Sequence, residues 1–160
     1  MEKKTILIST CLLGIPCQYD GKPAKRLLTD EELNKLSAFH LVPICPEQLS
    51  GLSTPRKPVE IIGGTGADVL DGNARVMSED GDDFTEQFLH GARLALDIAN
   101  VVQARDMVTQ RRSPSCSCSG IYDGQFSHTM QDGMGVCASL LHRSEINLIP
   151  VDEISTKLPT

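Results

Sequence analysis

The sequence predicts an α/β fold: a single domain over residues 1–160, with a Rossmann-like, mainly parallel sheet, helices on both faces and a small β-hairpin excursion. Three observations predict it. Short apolar, β-branched runs alternate with longer segments of helical periodicity, as strand–crossover–strand units require. Their order is strand, helix, strand, hairpin, helix, strand, helix, strand. The 160 residues carry no repeat, linker or low-complexity stretch, so one core serves the whole chain.

Taken in order, Thr5-Ile6-Leu7-Ile8 is a buried strand by pattern and runs into a Cys- and Gly-bearing loop. Thr29-Asp30-Glu31-Glu32 is a capping box, with Thr29 as N-cap and Glu32 three residues on, and Leu33, Leu36 and Phe39 give that helix its apolar face. His40 to Cys45 is the second strand, and Gly51 to Lys57 is a turn-rich loop. Val59–Ile62 and Ala74–Met77 are expected to be hairpin arms at an edge of the main sheet, joined by the Asp71-Gly72-Asn73 turn. Asp83, with Glu86 at N3, is expected to cap the longest helix, whose apolar residues run from Phe84 to Val102 at helical spacing. Asp106–Thr109 is the third long strand. A last helix starts at Gly133-Met134-Gly135, Ile146–Val151 is the final strand, and the tail after Asp152 is expected to fray.

Composition narrows the function classes. The net charge is −6 and there is no Trp, which argues against a nucleic-acid partner, since both a basic surface and stacking platforms are lacking. No apolar run approaches the ~20 residues of a membrane span, and the start lacks a signal-peptide pattern, so a cytoplasmic protein is expected. There are six cysteines. In a reducing compartment clustered cysteines point to metal or catalysis rather than disulfides.

Five of the six lie in loops beside Gly, Pro or Ser, whereas Cys137 sits in an apolar run and reads as core. Cys11, Cys45 and Cys116 each follow the carboxyl end of a long strand, the edge where open α/β sheets place their sites. Three thiols from three strand ends make a pocket. Without Cys-x-x-Cys pairs a zinc site is not signalled. An iron-sulfur cluster with one iron free of protein is one outcome. A four-ligand centre that adds Cys17 or Cys118, structural or sensing in role, is another. Glu47, two residues after Cys45, can face the same pocket as a general base. Ser113 and Ser115 can donate hydrogen bonds to a cluster sulfide or a substrate oxygen, and Arg56 can hold a carbonyl or an anionic ring. Asp20 and Asp123, each before a glycine, read as turn formers, and the four histidines show no ligand spacing.

The segments Ser9-Thr10-Cys11-Leu12-Leu13-Gly14, Cys17-Gln18-Tyr19-Asp20-Gly21, Cys45-Pro46-Glu47, Thr54-Pro55-Arg56, Ser113-Pro114-Ser115-Cys116 and Ile121-Tyr122-Asp123-Gly124 occur in that order. This ordered set resembles a short bacterial family, long catalogued as a domain of unknown function, to which the iron-sulfur thiouracil desulfidases belong. The resemblance covers Ser9 to Val151. It implies a [4Fe-4S] cluster on Cys11, Cys45 and Cys116 with the fourth iron open, Glu47 as catalytic acid/base and Ser113 as a polar substrate contact; Arg56 and Ser115, read from the residues alone, are expected on the substrate side. The implied reaction is non-redox: a thiolated pyrimidine such as thiouracil binds the open iron through sulfur, water attacks the thiocarbonyl carbon, and sulfide leaves. The chain departs from the family pattern at Ser117-Cys118, where glycine usually follows the last ligand, and at Gln110-Arg111-Arg112, where a lysine-containing segment is usual.

Overall fold

A computed structural model describes residues 2–22 and 25–159. Its centre is a four-stranded, all-parallel sheet of β1 (Thr5–Ser9), β2 (His40–Ile44), β5 (Asp106–Thr109) and β8 (Asn147–Pro150), in the order β2-β1-β5-β8. Leu7 lies opposite Val42 on one side and Met107 on the other. The chain leaves β1 toward β2, then returns past it to β5. The strand order therefore reverses between β1 and β5, and the crevice beyond the carboxyl ends of those strands is where such sheets bind ligands.

Side-chain alternation along the strands sorts two cores. Ile6, Ile8, Val108 and Ile149 face Leu36 of α1 (Asp30–Leu36) and Ile154 of α6 (Ile154–Lys157). Leu7, Met107 and the half-buried Leu148 face the other way, onto α4 (Thr85–Val101) and α5 (Val136–Arg143). That second layer also takes α2 (Pro46–Leu49), β3 (Val59–Ile62), α3 (Gly66–Leu70) and β4 (Arg75–Ser78). Helices on both faces bear out the expected architecture.

Local rules account for most boundaries. The Thr29–Glu32 capping box forms in both directions, by Glu32 N–H to Thr29 Oγ1 and Thr29 N–H to Glu32 Oε2. In α4 the small residues Ala92, Ala95 and Ala99 are fully buried, which lets neighbouring helices approach closely.

Four expectations need correction. β3 and β4 pair antiparallel, but as a separate two-stranded sheet and not at an edge of the main one. Between them stands α3, where a plain turn was expected; Thr65 N–H and Oγ1 both donate to Asp68 Oδ2, so a second capping box starts a helix that Asp71 then ends. Asp83 does not cap α4 in the expected register. Phe84 is the N-cap residue and is still bonded to β4 through its N–H to Val76 O, while Asp83 accepts from Thr85 N–H and pairs with Arg75 at 2.6 Å. The tail does not fray: a 3-10 turn over Val151–Glu153 leads into α6, and Ile154 is 1 % exposed. A further small hairpin, β6 (Ile121–Tyr122) with β7 (Met130–Gln131), was not signalled by pattern.

Candidate active site

Each expected ligand cysteine follows a strand of the parallel sheet, and each is set by a different device. After β1, a 3-10 turn over Thr10–Leu13 carries Cys11, and Gly14 closes it at φ 81°, a left-handed conformation open to glycine at little cost. After β2, Cys45 is the N-cap residue of α2; Pro46 fixes the first helical position and Glu47 falls in the first turn. After β5, Gln110 to Ser115 lead to Cys116, which is 6 % exposed. Together these residues line one cavity of about 600 Å³.

The Cys116 turn is held from two directions. Ser113 Oγ accepts the N–H groups of Ser115 and Cys116, at 3.2 and 2.9 Å, a serine-capped turn. The start of α5 then docks on it: Gly135, Val136 and Ala138 donate their N–H groups to the carbonyls of Ser117, Pro114 and Ser115, at 2.8, 2.8 and 3.0 Å. Helix-start donors have no partner within the helix, and here the cysteine turn supplies it. Residue 135 must be glycine for this docking, because a Cβ there would lie 2.5 Å from the Ser115 carbonyl.

Glu47 and Arg56 form a buried pair at 3.2 Å, with side chains 14 and 9 % exposed. Arg56 Nη2 also donates to the Cys17 carbonyl at 2.9 Å, and Nη1 to Thr54 Oγ1 at 3.0 Å. Its guanidinium is thus spent on positioning Glu47 and the Cys17 loop, which leaves little of it for the substrate. Glu47 Oε2 takes the guanidinium, while Oε1 is buried with no hydrogen-bond partner. An orphaned buried carboxylate oxygen is costly, so its place at the cavity marks it for a ligand or for water.

Cys17 belongs to the same cavity and is buried. Its thiol is pushed up to about 11 by hydrogen bonding with Cys11 and by burial, and the Cys17 hydrogen bond likewise raises Cys45. Burial, then the charge of Glu47, raises Cys116. These thiols and Glu47 crowd developing negative charge into one place, and of the cations lining the cavity Arg56 is already paired with Glu47, Lys57 with Asp80 and Asp82, and Arg111 with Asp152. Only added positive charge would let the thiols ionise together, which is what bound metal supplies.

The sequence-derived residues are therefore partly gathered. Cys11, Cys17, Cys45, Cys116, Glu47, Arg56 and Ser113 line the cavity. Ser115 does not: it is 1 % exposed under the turn, with its carbonyl turned to α5, so direct substrate contact is not its place. Cys118 also lies outside the cavity wall, 3.1 Å from Thr109 Oγ1 and in the field of Glu153 and Lys157 near the C-terminal segment. It is not positioned as a fourth ligand. Cys137 is fully buried, as expected of core. Among the cavity residues that were missed, Ser9 and Glu60 are polar and buried. Ser9 Oγ accepts Gln110 N–H at 3.1 Å, bridging the parting ends of β1 and β5. Glu60 is buried in the wall on β3. Its signal was a charged residue on an otherwise apolar strand.

The donor set suits a soft, polynuclear group. Among the described residues no three His, Cys, Asp or Glu side chains close on one point where a single ion would sit. The thiols surround a volume instead, which fits an iron-sulfur cluster better than the closed tetrahedron of structural zinc.

Comparison with known proteins agrees with this geometry. The chain is 42 % identical over 151 residues to the uncharacterized protein YbbK of Bacillus subtilis (strain 168), covering 94 % of this chain and 97 % of that protein. It is similar in structure to the [4Fe-4S]-dependent thiouracil desulfidase TudS, with a TM-score of 0.82 and 34 % identity, covering 96 % of this chain and 94 % of that one. The family model described as 2-thiouracil desulfurase matches residues 6–153, and with nearly the whole chain so covered, the protein belongs to the 2-thiouracil desulfurase family.

Proposed function

We propose that the protein is a desulfidase that converts a thiolated pyrimidine such as thiouracil to the oxygen compound by hydrolysis, using a [4Fe-4S] cluster held by Cys11, Cys45 and Cys116. The observation that carries this reading is the convergence of the three strand-end thiols on one cavity beside Glu47, whose Oε1 has no partner. When bound, the cluster supplies a Lewis-acidic iron with affinity for a soft sulfur atom.

The chain's own residues do the rest. Glu47 Oε1 takes a proton from water as its oxygen attacks the thiocarbonyl carbon, and Arg56 keeps the carboxylate in that orientation through Oε2. Ser113, with its oxygen accepting two backbone N–H groups, points its own O–H at the cavity as a donor to the substrate. Phe84, Phe88 and Tyr122 give the cavity apolar walls that pack a flat ring and limit water. The sum is C=S plus water to C=O plus hydrogen sulfide, with no electrons exchanged. Such thiol-rich chemistry suits a reducing cytoplasm.

The test is anaerobic reconstitution followed by incubation with thiouracil, with uracil and sulfide expected in equal amounts. No sulfide from fully loaded protein would reject the substrate. A second reading, a four-thiolate centre that senses rather than catalyses, is favoured by Cys17 lining the same cavity, with its carbonyl accepting from Cys45 Sγ at 3.7 Å. It requires Cys17→Ala to lose its iron, whereas the desulfidase reading has that variant retain it.

A further inference from the structure

We infer that Glu60 is the residue that recognises the pyrimidine ring: its Oε2 accepts a ring N–H, while its Oε1 ties down the loop at the cavity wall. The inference rests on the desulfidase reading for the identity of the ring.

Glu60 lies in β3, opposite Met77 of β4, and lines the same cavity as Glu47. It is 8 % exposed, and no cation lies within ion-pair distance of it among the described residues. Its Oε1 accepts two backbone N–H groups, from Gly124 at 3.0 Å and Phe126 at 3.3 Å. Those bonds fix the segment after β6, which turns sharply through Gly124, Phe126 and His128, all at positive φ. Phe126 and His128 reach the cavity, and His128 packs edge-on against Tyr122. The loop keeps itself folded in part, by Asp123 N–H to Thr129 O and Gln125 N–H to Asp123 Oδ1.

Holding the loop needs only one acceptor oxygen, and a glutamine carbonyl would serve. A nearly buried carboxylate without a cation is an expensive choice unless its second oxygen is used. Among the described residues Oε2 takes no hydrogen bond, and it is not one of the fully buried side-chain oxygens left without a partner. It is an acceptor left open on a cavity wall. A thiolated pyrimidine presents ring N–H donors, and entering an apolar cavity strips their water, so each needs an acceptor. Glu47 is committed to Arg56 and to water. Glu79, the third carboxylate on the wall, is exposed and can stay hydrated, so Glu60 Oε2 is the buried carboxylate oxygen that remains.

Glu60→Gln makes a sharp test, because the two loop N–H groups demand the amide oxygen at the Oε1 position. The NH₂ must then take the Oε2 position and turn an acceptor into a donor. Binding of uracil and of 1,3-dimethyluracil, which has no ring N–H, is measured calorimetrically on anaerobic, cluster-loaded protein. The wild type should bind uracil about tenfold or more tightly than the dimethyl compound. Glu60→Gln should bind both alike while its thermal midpoint stays near wild type. Glu60→Asp, which keeps the charge but withdraws the oxygens, should also lose the preference and covers the case in which the glutamine variant fails to fold. Equal binding by the wild type, or a preference that survives in a folded variant, overturns the inference. If loaded protein releases no sulfide from thiouracil yet shows the preference and its loss, the reaction assignment falls and the role of Glu60 stands.

Discussion

Replacing Gly91 with alanine should drive apart two helices on which the site depends. Gly91 is buried in the middle of α4, and a Cβ there would lie 2.2 Å from the carbonyl oxygen of Pro46 and 2.9 Å from its carbon. A carbon and an oxygen rest at about 3.3 Å or more, so α2 must retreat by about 1 Å. The obstacle is backbone, so no rotamer relieves it. In an exposed helix the same change would stabilise by about 1 kcal/mol through helix propensity. Overpacking costs about 1–3 kcal/mol, and a rigid obstacle puts it at the upper end, for a net loss of about 2 kcal/mol. In a chain of this size that is a fall of about 4–8 °C in Tm. Urea unfolding should show a lower midpoint with an unchanged slope. Because α2 carries Glu47 and begins at Cys45, iron content and sulfide release should fall further than the stability loss explains. A Gly91→Ala protein as stable as wild type, or more so, would refute the reasoning.

Further outcomes follow from the same geometry. Glu47→Gln should keep its iron but lose about 10²–10⁴ in kcat, the range for a positioned general base; single-turnover sulfide release checks it. Arg56→Ala should cost about 3–5 kcal/mol by leaving Glu47 charged, buried and alone, read by urea unfolding. Cys118→Ser should leave iron content and sulfide release at wild-type levels, because that thiol lies outside the cavity, while alanine at Cys11, Cys45 or Cys116 should abolish both. The cofactor-free protein should lose stability at alkaline pH. Cys17 is held at about 11 in the folded chain against an ordinary 9.0, so its contribution is complete below about pH 9 and disappears as pH rises toward 11, where the unfolded state ionises first. Cys17→Ala should flatten that alkaline arm in a pH series of unfolding midpoints.

The sheet and its cysteines were legible because β1, β2 and β5 are short β-branched runs, each ending in a thiol-bearing loop. Periodicity and strand-end position carry that information locally. Helix α1 was legible for a similar reason, since its capping box lies within four adjacent residues. Helix α3 was hidden by its own flanks: Gly63-Gly64 and Asp71-Gly72-Asn73 signal turns more strongly than Thr65 and Asp68 signal a cap. The two-residue strands β6 and β7 are too short to show a period. The C-terminal turn of helix depends on Ile154 packing beside α1 on the same face of the sheet, a contact between distant parts of the chain.

The site divides along the same line. That Cys11, Cys45, Cys116 and Glu47 would meet at one cavity was readable from strand ends. Which of Ser113 and Ser115 faces the cavity was not, because neighbouring residues in a tight turn point apart, and the choice is made by α5 docking through Gly135. Nor was the capture of Arg56 by Glu47, which joins a loop to α2 through an ion pair that spacing does not reveal. Cys118 follows Cys116 by two residues yet is drawn to Thr109.

The central claim is that Cys11, Cys45 and Cys116 hold an iron-sulfur cluster that this chain uses to take sulfur from a thiolated pyrimidine. Its most direct test is sulfide release from thiouracil by freshly made anaerobic protein, with iron and acid-labile sulfide counted on the same sample. The expected result is about four iron and four sulfide per chain, with catalytic release of sulfide and uracil in equal amounts. Full iron and sulfide content without release, or release that persists after the iron is removed, would contradict it.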